Sequence, residues 1–314
     1  MLGQTARMSG PVAREDAGLV PQGARPQPPT AEVVDARESL VGGLTVRRAL
    51  PRARRRTVGA WCFVDHVGPL AVEPDGGLDI GPHPHTGLAT VTYLLEGQVL
   101  HRDSLGSEQV VRPGQLNLMT AGRGVAHAEE PTGAYRGTLH GVQLWVAQPS
   151  ATRTGEPAFE HHAELPELAL DGADVRVLVG ELGAAASPAR RDSDLLGAGV
   201  TLAPGAAVLP LAPAYEHLVV VLDGVLLLDD GRPVRPGQSA YLGTGRDELV
   251  LAAPEGARVL LLGGVPFGEQ IVMWWNFVGR SREEVADAAR AWEAGDDRFG
   301  AVATGLDRIP APQL

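Results

Sequence analysis

Hydrophobic positions come in short bursts separated by turn residues, and the pattern predicts β structure along most of the chain. Thr90-Val-Thr-Tyr-Leu-Leu95 is rich in strand formers and ends at the turn Glu96-Gly97. Val99-Leu100-His101 begins a second strand, which turns at Asp103 to Gly106. Arg112-Pro-Gly-Gln115 is a turn leading into Leu116–Met119. Short strands at this spacing predict an all-β sandwich or barrel.

The pattern then returns. Leu218-Val-Val-Val-Leu222 precedes Asp223-Gly224 and Val225–Leu228, and Arg235-Pro-Gly-Gln238 repeats Arg112–Gln115. Gly224 lies 127 positions after Gly97, and Pro236 lies 123 after Pro113. A hairpin four residues shorter in the second copy accounts for the difference. This predicts a tandem duplication of one β-barrel unit. The pattern changes near the C-terminus. Ser281-Arg-Glu-Glu284 has capping-box form, and Val285, Ala288, Ala289 and Trp292 follow at helical spacing. One amphipathic helix is expected over about 281–293, with Trp292 as a core anchor.

Composition narrows the picture. Of 314 residues, 40 are Gly and 25 Pro, so long helices can fill little of the chain. The formal charge of −11 argues against a general nucleic-acid binder. The charge is uneven, because residues 1–56 hold ten Arg against five acids. The cluster Arg52, Arg54, Arg55, Arg56 reads as a solvated loop or an anchor onto the acidic body, since no aromatic residue is interleaved with it. A single cysteine, Cys62, excludes an intrachain disulfide and a thiolate-held metal. The chain has no lysine, which excludes Schiff-base chemistry.

Residues 1–31 read as a disordered tail without the apolar core of a signal peptide. The run Leu195 to Tyr215 is uncharged, but three prolines and three glycines interrupt it, so two buried strands around Pro204-Gly205 are expected in place of a membrane span. A cytoplasmic location follows as the expectation.

Chemistry concentrates in the first copy. His83-Pro-His85 precedes the Thr90 strand, and His127-Ala-Glu129 follows Thr120–Ala126. In extended chain, residues i and i+2 share a face, so each pair offers two donors to one side. Two adjacent strands can bring all four together. Three imidazoles and a carboxylate suit Fe(II), Mn, Ni, Cu or Zn. His101 is the further candidate, either as a base or as a hydrogen-bonding partner. Asp103 reads as a turn former. His66 and Cys62 can line the barrel, and His217 reads as a local hydrogen-bonding residue. His161 and His162 are expected in a charged surface loop between the copies.

The run Gly81-Pro-His-Pro-His-Thr-Gly-Leu-Ala-Thr-Val-Thr-Tyr-Leu-Leu-Glu-Gly97 resembles the signature of the pirin family. So do His101-Arg-Asp-Ser-Leu-Gly106, Met119-Thr-Ala-Gly-Arg-Gly-Val-Ala-His-Ala-Glu129, and the flanks Gly59–Pro69 and Trp275-Asn-Phe-Val278. The resemblance implies a bicupin, two cupin β-barrels in tandem, with a short C-terminal helix. It implies a metal-binding barrel at 32–150 and a degenerate one at 151–314. The implied metal is iron first, with Cu, Ni, Mn or Zn also compatible, held by His83, His85, His127 and Glu129. The implied activity resembles quercetin 2,3-dioxygenase, which opens a flavonol ring with dioxygen, with Glu129 or His101 as base. The implied partners are a small aromatic substrate and dioxygen. Pirins are also linked to transcriptional co-regulation, so a non-enzymatic iron-dependent regulator with a protein partner is the alternative. One departure stands out. Ala89 and Thr90 occupy the positions where cupins generally place a glutamate after the second histidine.

Overall fold

The structure, a computed structural model, describes residues 30–73, 76–133 and 135–313. The tail expected over 1–31 therefore lies outside the described residues except for Thr30 and Ala31. Ala31 is buried, and its carbonyl accepts from Arg232 at 2.7 Å.

The described chain is mostly β. The first half runs β1 (Glu32–Asp35), β2 (Arg37–Val41), β3 (Leu44–Leu50), β4 (Trp61–Val72), β5 (Ile80–His85), β6 (Leu88–Glu96), β7 (Val99–Asp103), β8 (Glu108–Val111), β9 (Leu116–Thr120), β10 (Val125–Glu130), β11 (Gly137–Ala147) and β12 (Ala158–His162). The second runs β13 (Glu167–Leu170), β14 (Ala173–Val179), β15 (Glu181–Leu182), β16 (Ala185–Ala186), β17 (Leu195–Leu202), β18 (Gly205–Pro210), β19 (Glu216–Gly224), β20 (Leu226–Leu227), β21 (Pro233–Val234), β22 (Gln238–Gly243), β23 (Glu248–Ala253) and β24 (Ala257–Gly264). A hairpin, β25 (Val272–Trp274) and β26 (Phe277–Gly279), leads to helix α1 (Arg282–Glu293).

The duplication is visible strand by strand. One barrel joins the seven-stranded sheet β12-β9-β6-β11-β4-β3-β2 to the four-stranded sheet β5-β10-β7-β8. The other joins β1-β22-β19-β24-β17-β14-β13 to β18-β23-β20-β21. The pairing Val91↔Leu118 and Thr92↔Asn117 in the first recurs as Leu218↔Tyr241 and Val219↔Ala240 in the second. Both Arg-Pro-Gly-Gln turns close identically. Arg112 N–H and Arg235 N–H each donate to the Gln side-chain oxygen three residues on at 3.0 Å, and Gly114 and Gly237 supply the positive φ. The outermost strands are exchanged. β1 precedes the first barrel yet pairs with β22 of the second, whereas β12 follows the first barrel and pairs with its β9.

Alternation along β6 and β19 explains the packing. Ala89, Val91 and Tyr93 join Leu218, Val220 and Leu222 in one apolar cluster that forms the seam between the barrels. Val219 and Val221 point the other way and fill the second barrel with Val200, Val259 and Leu261. Trp61 locks the seam. It is wholly buried, and its Nε1–H reaches Leu196 O at 2.9 Å and Gly263 O at 3.2 Å in the second barrel. A Cβ on Gly197 would lie 2.8 Å from the Trp61 ring, so the close approach needs glycine there. Gly59 N–H adds a 2.7 Å bond to Glu216.

Several local expectations refine. Helix α1 starts after the N-cap Ser281 and buries Val285, Ala288, Ala289 and Trp292. Ser281 Oγ accepts from Glu284 N–H at 3.1 Å, and the Glu284 carboxylate reaches back to the backbone N–H groups of Arg280 and Ser281, as in a capping box. Of the two strands expected between Leu195 and Tyr215, β17 is buried, whereas β18 exposes alternate residues. No described helix is long and apolar enough to cross a membrane. Arg55 anchors on Glu32 at 3.0 Å and stacks over Tyr241, while Arg54 and Arg56 are exposed. His161 and His162 lie in a strand, not in a loop, because β12 completes the first barrel's sheet.

Cys62 is wholly buried, lies 3.5 Å from Trp145 O, and has its thiol pushed up to about 12 by burial. The native protein should therefore not react with a disulfide reagent at pH 8, and should yield one thiol per chain in denaturant. Rapid labelling of the native protein would contradict this packing.

Candidate metal centre

Three strands build the site. β10 lies between β5 and β7, pairing His127 with His83 on one side and Asp103 on the other. His83, His85 and His127 are all buried, and their ligand-capable atoms lie within 4.8 Å of one another. This is the i, i+2 arrangement expected from His83-Pro-His85, with the third ring supplied across the sheet. Among the described residues no other group of three such side chains gathers in this way.

Each ring is oriented from behind. His83 Nδ1 lies 3.0 Å from Gly81 O, and His85 Nδ1 lies 3.1 Å from Asn276 O. A carbonyl only accepts, so both rings carry hydrogen on Nδ1 and present a bare Nε2. His127 Nδ1 faces His101 Nδ1 at 3.3 Å. His85 Nε2 and His127 Nε2 stand 3.0 Å apart. With a hydrogen on His127 Nε2 the two would share a hydrogen bond; with both bare, as metal binding requires, their lone pairs converge on the space a cation would fill. Burial, the dominant cause, pushes His83 down to about 4 and His85 and His127 well below the usual range. Neutral rings are what a metal requires, and the donor set suits a divalent ion.

The remaining candidates take distinct places. Glu129 is 4% exposed and opposes His101 across β7, but its carboxylate is not part of the three-histidine group. Its strand shifts register against β5 between His127 and Glu129. Burial raises its carboxyl to about 7. His101 contacts His127 through Nδ1 and Asp103 Oδ2 through Nε2 at 3.0 Å. Asp103 does form the expected turn, accepting from Leu105 and Ser107 N–H at 2.9 Å each. Ala89 lies in the seam cluster.

Three contributors escape a reading of residue types. Gly81 and Asn276 act through backbone carbonyls, which carry no residue signature. Asn276 belongs to the β25–β26 turn, where Trp275 takes φ +51. That conformation costs a bulky residue about 1–2 kcal/mol, and it is held by Val278 N–H bonding Thr86 O at 3.0 Å. Phe159 of β12 stacks on His101, with centroids 4.5 Å apart. The centre thus depends, through Asn276, on a segment beyond its own barrel.

The second barrel has no such cluster among the described residues. Val219 and Ala240 replace the polar pair Thr92 and Asn117, so its interior is closed by apolar packing.

Two further histidines matter for stability. His66 Nε2 lies 2.8 Å from His140 Nε2, and burial with nearby Arg47 pushes His66 down to about 3. Burial holds His217 near about 4. Both stay neutral in the folded chain, whereas an unfolded histidine titrates near about 6.5. Their stability contribution is full above that value and is lost as pH falls toward the folded values. Each should cost about 1.4 kcal/mol per pH unit below 6.5. The urea midpoint should drop between pH 7.5 and 5.5, and His217→Phe should flatten the dependence. An unchanged midpoint would contradict it.

The comparisons with known proteins bear on the family and the fold. The family model described as Pirin matches residues 43–146, and that described as Pirin C-terminal cupin domain matches 198–300. A Pseudomonas aeruginosa protein provisionally named quercetin 2,3-dioxygenase is 49% identical over 87% of this chain and 85% of its own length. Human pirin is 29% identical over 89% of this chain and 97% of its own. The crystal structure of an Acinetobacter baumannii quercetin 2,3-dioxygenase superposes with TM-score 0.87 at 39% identity, covering 90% of this chain and 95% of that one.

Proposed function

The chain is a member of the pirin family, and from that premise we propose that it is a metal-dependent dioxygenase that opens the ring of a flavonol or related polyphenol. The observation that carries this reading is the convergence of three neutral imidazoles whose Nδ1 atoms are tied behind them. His83, His85 and His127 would hold one divalent metal, iron first, with Glu129 the remaining candidate ligand. When bound, that ion would supply Lewis-acid and redox chemistry toward a phenol and dioxygen.

The chain's own groups then have separate tasks. Glu129 is the proposed base. Its carboxylate is buried, stands outside the histidine group, and is raised by burial alone, so it is suited to take the proton of the substrate hydroxyl on an oxygen. Phe159 and Trp145 flank the rings of His101 and His85 and help to exclude water. The overall reaction consumes one dioxygen, places both its atoms in the products, and releases carbon monoxide.

A second reading has one observation in its favour. His85 and His127 are 1% exposed and His83 7%, and none of the three lines either the cavity of about 500 Å3 bounded by Pro82, Ala126, Trp292 and Phe299 or that of about 710 Å3 at Val225 and Pro254. A redox-sensitive regulator that binds a protein partner needs no substrate channel at the metal.

Anaerobic loading with Fe(II), followed by quercetin in air, separates the two. Loss of flavonol absorbance with carbon monoxide release, absent in His127→Ala, supports the dioxygenase. One bound iron without turnover of quercetin points to the regulator or to a different small aromatic substrate, and no dioxygen uptake with a panel of related polyphenols overturns the dioxygenase.

A further inference from the structure

Two of the three clustered histidines are steered by carbonyls, which can only accept. His127 is not. Its Nδ1 meets another ring nitrogen, His101 Nδ1, at 3.3 Å. Two imidazoles cannot fix each other's tautomer, because either can donate.

Asp103 breaks the tie. Its Oδ2 lies 3.0 Å from His101 Nε2, and its side chain is fully buried. A carboxylate accepts, so His101 carries its hydrogen on Nε2 and has a lone pair on Nδ1. With that lone pair facing it, His127 is placed to donate from its own Nδ1, which leaves its Nε2 bare toward His83 and His85; the competing arrangement, a hydrogen on Nε2 pointing at His85 Nε2 3.0 Å away, leaves the two Nδ1 lone pairs opposed. We infer that Asp103 is a positioning residue that, acting through His101, sets the tautomer of His127 and so selects Nε2 as its metal-facing atom. This rests on reading the histidine group as a metal site.

The array is held on every side. Asp103 Oδ1 accepts from Leu105 N–H and Ser107 N–H at 2.9 Å each, so one oxygen holds the turn and the other holds His101. Phe159 lies 15° from parallel to the His101 ring and fixes its plane. Asparagine can fill only one of these jobs. With its oxygen on the turn, its NH2 group faces His101 Nε2 and drives that ring's hydrogen onto Nδ1, against the hydrogen of His127.

The test uses Zn(II) as a diamagnetic probe on the full chain. Long-range proton–nitrogen spectra of 15N-histidine protein read each tautomer, and chelator competition reads affinity. Wild type should show His101 protonated on Nε2 and His127 on Nδ1. Asp103→Asn should move the His101 hydrogen to Nδ1 and weaken Zn(II) binding about 10–100-fold. His101→Phe, which leaves the turn intact, should weaken binding similarly, and adding Asp103→Asn to it should cost no more than twofold further. Wild-type His101 protonated on Nδ1 overturns the inference without any variant, so it stays testable even if Asp103→Asn fails to fold. Zn(II) affinity within twofold of wild type in Asp103→Asn, with binding lost in His85→Ala, overturns the inference but not the metal site. Undiminished binding in His85→Ala removes the metal reading and this inference with it.

Discussion

Trp61→Ala should destabilise the protein by about 3–5 kcal/mol. The side chain is wholly buried in the seam and contributes to an apolar cluster drawn from both barrels. Removing it opens a cavity against Gly197, which the ring approaches too closely for a Cβ. It also strips a donor from two carbonyls, Leu196 O and Gly263 O. Trp61→Phe retains most of the apolar area but not the donor, so about 1–3 kcal/mol is expected. Urea unfolding followed by circular dichroism checks both values. A cost below about 1 kcal/mol for Trp61→Ala would mean that the barrels do not depend on this contact.

Glu129→Gln should lower kcat by about 10²–10⁴-fold, the usual range for a lost general base. The amide matches the carboxylate in shape but takes no proton. Because the carboxylate lies outside the histidine group, metal content should stay at the wild-type value. Steady-state turnover of quercetin, read beside the metal content of the same sample, provides the check. Wild-type kcat in the variant would remove Glu129 from the mechanism, and loss of metal would make it a ligand first.

The sequence made some of this legible and hid the rest for identifiable reasons. The duplication could be read because strand alternation and the Arg-Pro-Gly-Gln turn are local patterns, and the register of β6 on β9 does recur in β19 on β22. The convergence of His83, His85 and His127 could be read because spacing of two in a strand fixes a face. The exchange of β1 and β12 could not, since Val33 pairs with Ala240 across the length of a barrel and a short strand carries no mark of its partner. Nor could the support given by Asn276, which acts through a carbonyl, or the His66–His140 pair, whose members lie on different strands. The double use of Asp103 was hidden for a related reason. Its turn is local, but its bond to His101 matters only because β10 places His127 beside that ring.

The account turns on one claim, that the three-histidine group holds one divalent metal ion. Anaerobic equilibrium dialysis against Fe(II), with metal counted per chain for wild type and His85→Ala, tests it most directly. The account predicts one ion per chain in the wild type and almost none in the variant. Full occupancy in His85→Ala would contradict it.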